Sequence, residues 1–360
     1  MRKSFGHQMR LIVSSCRLVA IVWIYLFSTP SYAADDYPNT FMMGGQADTN
    51  SDWYKQCIKV KSLNPPNKDI PSEKSAQTLS KCKATDLYYD TKYSQDPTSH
   101  EWGKVRSCAF VEDDDAVLMM LYANGFGVTR NINLAIKYAC KVGGAPAEAE
   151  SRISHLSNIK DDDTNVTFDL CDDITSGFMG GFCAFIRERQ DEKERSYRLT
   201  EYRSKLTPPQ KEIFDKLQIT VREFAKLRGD KETDQMGSAR SELVIEAQAA
   251  EMDTFESDLS DFGKGNTPHF ADKQFGDLDK NLNHIYQEIM HAKVDDNSRL
   301  GFTTITKEDV KISQRAWLKY RDAWVSFGHV TYTSVDPISW KAFFTERRIK
   351  QLSELLEEAK

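Results

Sequence analysis

The chain has 360 residues, with 48 Lys and Arg against 54 Asp and Glu and a formal net charge of −6. That balance excludes the strongly basic surface on which nucleic-acid binding depends, and it favours a cationic partner. The length suits two domains or one elongated helical body.

Residues 1–33 carry Arg2, Lys3, Arg10 and Arg17 and no acid, then the apolar run Leu18 to Phe27, then Ser31-Tyr32-Ala33. A basic lead, a short apolar segment and a small-x-small site together predict a signal peptide cut near Ala33. A run of about ten apolar residues falls short of a ~30 Å hydrocarbon layer. Cleavage removes four bases and no acid, so the mature charge becomes −10. No later stretch is long and apolar enough to span a membrane, so the mature chain is expected in the periplasm or secreted.

Cysteine usage agrees with that compartment. Cys57, Cys82, Cys108, Cys140, Cys171 and Cys183 remain after cleavage. An even number in an exported chain favours disulfides, with fifteen formal pairings open. Sequence order and the helix positions below point to Cys57–Cys82, Cys108–Cys140 and Cys171–Cys183. Zinc is the rival reading, against which stands the lack of a CxxC or a paired histidine.

Residues 34–100 are polar and broken by Gly44-Gly45, Pro65-Pro66, Pro71 and Pro97, which predicts an irregular lead held by the first disulfide. From Ala116 to Ala123 the chain becomes apolar and helical. Asn124-Gly125-Phe126-Gly127-Val128 supplies a turn with two glycines available for positive φ, and Asn131 to Cys140 resumes helical spacing. The pattern Leu121-Tyr122-x-x-Gly125-x-Gly127-Val128, then Leu134-Ala135-x-x-Tyr138-Ala139, resembles one Sel1-like repeat. That resemblance implies a helix–turn–helix module with a protein-binding face, over a disulfide-stapled region spanning 101–190. A single αα-hairpin packed into a larger body is the other reading, since solenoids usually need about three repeats.

In Cys171 to Cys183, the residues Asp172, Asp173, Thr175 and Ser176 stand near glycines at a spacing unlike a calcium loop, and are expected as caps and turns. Phe185 to Arg198 is densely charged and suits an exposed helix or connector. Pro208-Pro209 opens a helix with Ile213, Leu217, Val221, Phe224 and Leu227 in phase. After a breaker near Gly229, a second runs from Ser238 to Phe262, so 205–263 is expected as an antiparallel pair. The second helix has an acidic outer face, Glu246, Glu251, Asp253, Glu256, Asp258 and Asp261. It is either solvated or a docking face for a basic protein.

Gly263 to Pro268 separates this pair from the last region. Thr306 to Phe327 is amphipathic, with Val310, Trp317 and Trp324 seven apart, Gln314 and Arg321 between them, and Thr306 and Asp309 as caps. Polar residues on an inward face need hydrogen-bond partners, so a fixed polar network is expected there. The run Gln314-Arg315-Ala316-Trp317-Leu318-Lys319-Tyr320-Arg321-Asp322, preceded by Asp279-x-x-Leu282-Asn283-x-x-Tyr286 and followed by Thr345-Glu346-Arg347-Arg348 with Leu352, resembles the lysozyme inhibitor LprI-like (DUF1311-type) domain of bacterial envelope proteins. The resemblance covers 268–360. Trp324 and Val325 stand where members commonly carry a cysteine after the Arg-Asp pair. The family pattern implies that Asn283, Tyr286, Gln314, Trp317 and Arg321 meet across a helix hairpin around a buried Arg321, mainly as architecture.

The expectation is an all-α chain with no cofactor. No GxSxG, HExxH, P-loop or dinucleotide fingerprint occurs and the histidines are scattered, so a non-enzymatic, protein-binding role is expected. The resemblance implies, as its sharpest version, an inhibitor covering the cleft of a c-type lysozyme. The alternative is an envelope scaffold that holds its partner through the Sel1-like region.

Overall fold

The computed structural model describes residues 37–41, 47–163, 165–295 and 297–358, and the expected signal segment lies outside them. Thirteen helices and no strand occur among the described residues, beyond two isolated bridges.

The most enclosed element of the N-terminal half is α5 (Asp115–Asn124), in which every residue from Val117 to Ala123 is buried. An all-round apolar helix has no solvent face, so neighbours must cover it. Asp114 caps its start by accepting from Val117 N at 3.0 Å. Gly125 ends it at φ 73°, donating to Leu121 O at 2.9 Å, the left-handed C-cap that glycine adopts without strain. Gly127 is also at positive φ, as the turn pattern requires. Asn131 accepts from Leu134 N and starts α6 (Ile132–Ala139), which packs back on α5.

Around this hairpin lie α1 (Asp52–Val60), α2 (Glu73–Thr78), α3 (Ala84–Lys92), α4 (Ser99–Glu112) and α7 (Pro146–Asn158). The stretch expected as an irregular lead therefore carries three short helices, with the prolines confined to the links between them. Two of the expected disulfides are corrected. Cys57 pairs with Cys140 and Cys82 with Cys108, while Cys171 pairs with Cys183. Tertiary packing overrides sequence proximity here: α1 lies on α6, bringing Cys57 to Cys140, whereas α4 runs beside α3 and presents Cys108 to the loop before it.

A single helix, α8 (Gly177–Ser204), joins the two halves. Ile186 belongs to the N-terminal core and Leu199 to the C-terminal one. The charged run expected as an exposed helix or connector is part of this helix, which also enters both cores. Its Arg195 is fully buried and held by Glu188, Glu192 and, at 2.6 Å, Asp253.

The C-terminal core is built by α9 (Pro208–Glu232), α10 (Arg240–Gly263), α11 (Asp272–His291), α12 (Lys307–Thr331) and α13 (Pro337–Glu358). α9 continues through Gly229 to Glu232, then pairs with α10. α10 also lies along α8, α12 along α9, and α11 along α13. The core between them is aromatic: Trp324 and Trp340 stack at 6.3 Å with Phe255, Phe262 and Phe344 around Trp324. Thr306 and Asp309 form the capping box of α12 that their spacing predicts.

Candidate functional site

A polar network does cross the inner face of α12, but its arginine is not the expected one. Arg348 on α13 is fully buried and donates from Nε to Gln314 Oε1 at 2.8 Å, and from Nη1 to Glu232 Oε2 at 2.8 Å and Gln351 Oε1 at 3.1 Å. Gln351 Nε2 donates onward to Glu251 Oε1 at 2.7 Å, which also accepts from Arg228. The guanidinium of Arg348 lies over the Phe224 ring, 5.4 Å from its centre. Four helices, α9, α10, α12 and α13, are joined through these side chains.

The five residues expected to meet across a hairpin do not. Asn283 is exposed and donates to Asp279 O at 2.8 Å on its own helix, and Tyr286 is half-buried on α11, which faces α13 rather than α12. Arg321 sits at the edge of α12, over the Trp317 ring at 5.0 Å and bonded to its neighbour Asp322 at 3.0 Å. Tyr320 takes the inward place beside it. Leu282, Gln314 and Trp317 are buried, while Arg315 and Asp322 face solvent.

The acidic stripe on α10 is partly buried and paired within the chain. Glu251 and Asp258 are buried, and Asp258 takes a two-pronged bond from Arg347 at 2.7 and 2.8 Å. Burial pushes the Asp258 carboxyl above its ordinary value, against the pull of Arg347. Asp253 meets Arg195, Glu256 meets Arg198, Glu246 lies 3.9 Å from Arg187 and Asp261 lies 3.5 Å from Lys264. Asp253, Glu246 and Asp261 nonetheless keep half or more of their side chains in solvent.

In the disulfide loop, Ser176 caps α8, Asp172 accepts from Asp169 N, and Asp173 bonds His155, so all three serve local structure. Cys82, Cys108 and Glu112 bring ligand-type atoms within 4.8 Å of one another, but both sulfurs are consumed in their disulfide and neither is a thiolate that could hold a metal.

Sequence reasoning did not single out the arm between α11 and α12. Leu300 and Ile305 anchor it in the core, and Leu300 N donates to Ile305 O at 2.8 Å. Thr304 N donates to Asp234 Oδ1 at 2.9 Å, and Gln235 N donates to Thr304 Oγ1 at 2.8 Å, fastening the arm to the link between α9 and α10. Between these anchors Phe302 is 94% exposed. Asp234 also lines a cleft of about 270 Å³ at the end of the bundle, with Glu354 and Glu358 on its wall. Burial, together with Asp234 and Glu354, pushes the Glu358 carboxyl up. A larger groove of about 650 Å³ lies between Phe178, Phe182 and Phe185 of α8 and residues Gly237 to Ser241.

Residues 264–355 match a family model described as "Lysozyme inhibitor LprI". The match begins where α10 ends and takes in α11, α12 and most of α13. No curated protein and no solved structure matches the chain.

Proposed function

We propose that this chain is an exported bacterial envelope protein that binds another protein through its C-terminal bundle, and that the partner is a cationic lysozyme whose cleft it covers. The observation that carries this reading is the family match over 264–355. Three disulfides in the preceding half fit an oxidising compartment. No helix among the described residues is long and apolar enough to cross a membrane.

Inhibition on this reading is steric and electrostatic, with no covalent step. Because the acids of α10 are engaged within the chain, attraction rests on the overall negative charge and on carboxylates elsewhere on the bundle. The scaffold reading has less support. α5 is buried from Val117 to Ala123, so the Sel1-like hairpin offers its inner helix to its own neighbours and not to a partner.

The test is lysis of bacterial cell walls by c-type and g-type lysozymes in the presence of the purified, oxidised mature protein at low and moderate salt. Stoichiometric inhibition that weakens with salt is the expected outcome. Absence of inhibition at large excess, with the helical fold intact, overturns it.

A further inference from the structure

We propose that the arm bearing Phe302 is the surface through which the bundle engages a basic protein, with Phe302 entering its cleft and the carboxylates of Asp234, Glu354 and Glu358 meeting lysines or arginines at the rim. The inference rests on the lysozyme-binding reading and deepens it by naming the contact.

Two independent features support it. The first is the contrast within the arm. Leu300, Thr303 and Ile305 are buried, yet Phe302 between them is almost wholly in water. Phe302 is the most exposed large apolar side chain among the described residues, ahead of Phe178 at 79%, and it stands between residues that are enclosed. Residues 300–305 are also tied down, because Thr303 Oγ1 donates to Leu300 O at 2.7 Å and Thr304 is fastened to Asp234 and Gln235 on the neighbouring loop. With the backbone on either side tied down, docking orders little more than the two χ angles of the Phe302 side chain, a small cost for an aromatic anchor.

The second is charge. None of Asp234, Glu354 and Glu358 takes part in an ion pair among the described residues, unlike the six acids of the α10 stripe. Arg228, the base that lines the same cleft, is engaged by Glu251, and Lys231 and Arg299 are engaged by Asp309 and Asp295. Met236 and Leu243, at the link to α10 and on its first turn, are also exposed apolar residues. An aromatic point with apolar flanks and an acidic rim complements a concave, cationic surface. Such a partner is a basic enzyme with an open substrate cleft, rather than a nucleic acid or an anionic membrane.

The experiment compares the oxidised mature protein with Phe302→Ala, with the double variant Glu354→Lys/Glu358→Lys, and with Ile219→Ala as a control. Ile219 is 66% exposed on α9, so its loss removes comparable apolar surface away from the arm. Binding to a c-type lysozyme is measured by interferometry and inhibition by cell-wall lysis. Phe302→Ala is expected to weaken both by about thirty-fold, the size of a hot-spot loss. The charge reversal is expected to weaken binding and flatten its salt dependence, and Ile219→Ala to match wild type. All variants should melt with the wild type, since the altered side chains are solvent-facing. Wild-type binding that Phe302→Ala leaves within about two-fold overturns the arm and leaves the lysozyme reading standing. A wild type that binds no lysozyme overturns both.

Discussion

Arg348 on α13 and Glu232 in the last turn of α9 form an ion pair whose side chains are 0% and 2% exposed. Glu232 stands at the negative end of its helix, where a carboxylate is otherwise unwelcome, and Arg348 offsets that placement. Breaking a buried pair by removing one partner strands the other charge, at about 3–5 kcal/mol. Arg348→Ala and Glu232→Gln should each lower stability by that order in urea titrations. Arg348→Met/Glu232→Leu should recover much of the loss, because two apolar side chains leave no orphan charge. A double variant as unstable as the sum of the singles would show that the pair is not coupled.

The second prediction concerns Gly328, in the final turns of α12. A Cβ built there would lie 2.8 Å from Trp340 Cδ2 and 2.5 Å from Nε1, with Cε2 nearer still. Alanine normally gains about 1 kcal/mol over glycine inside a helix, whereas overpacking costs about 1–3 kcal/mol. The buried Trp340 has no room to retreat, so Gly328→Ala should destabilise. Trp340→Phe removes the pyrrole ring and should make the same glycine change less harmful. Thermal melts of the four-member cycle measure that coupling.

How far the chain was legible follows from which forces are local. The caps Thr306 and Asp309, the turn at Gly125 and the helical stripes on α9 and α10 depend on residues a few positions apart, and they stand where their spacing puts them. The buried arginine does not. A seven-residue spacing places Arg321 and Tyr320 almost equally near the core, and only the packing of α9 on α12 chooses Tyr320. Arg348 was in view as part of Thr345 to Arg348, but its partner Glu232 lies 116 residues away. The acids of α10 gave a convincing stripe by composition, whereas the arginines that neutralise them come from α8, α9 and α13. Phe302 carried no periodic signal at all, since exposure of one aromatic in a loop is a property of the fold around it.

The disulfide pattern yields a third prediction. Cys57–Cys140 closes a separation of 83 residues and Cys171–Cys183 one of 12. In the chain-entropy account these restrict the unfolded state by about 4.5 and about 2.8 kcal/mol respectively. Paired replacement by alanine should therefore cost more stability at Cys57 and Cys140 than at Cys171 and Cys183. Peptide mapping without reduction should recover Cys57 joined to Cys140 and Cys82 joined to Cys108. Recovery of Cys57 joined to Cys82 would contradict the packing of α1 on α6.

The fourth prediction concerns acid. Glu148 on α7 is fully buried and accepts from Thr175 N at 2.9 Å, Ser176 N at 2.7 Å, Ser176 Oγ at 2.7 Å and Ala145 N at 3.4 Å, tying α7 to the start of α8. Burial alone would push its carboxyl up, but the bonds from Ser176, Thr175 and Ala145 outweigh it and hold the group below its ordinary value. A depressed folded-state value means that the unfolded chain takes up a proton first as pH falls. The stabilisation is therefore complete above the unfolded value near ~4.3 and disappears as pH drops through the folded one. Glu148→Gln removes the charge and, with its oxygen kept on Thr175 and Ser176, sets an amide NH2 against the Ala145 N–H, so it should cost about 1–3 kcal/mol at neutral pH. The gap between wild type and variant, measured by urea unfolding, should narrow as the solution is acidified below that range. A gap that stays constant into acid would mean that the charge of Glu148 contributes nothing and that shape alone holds α7 against α8.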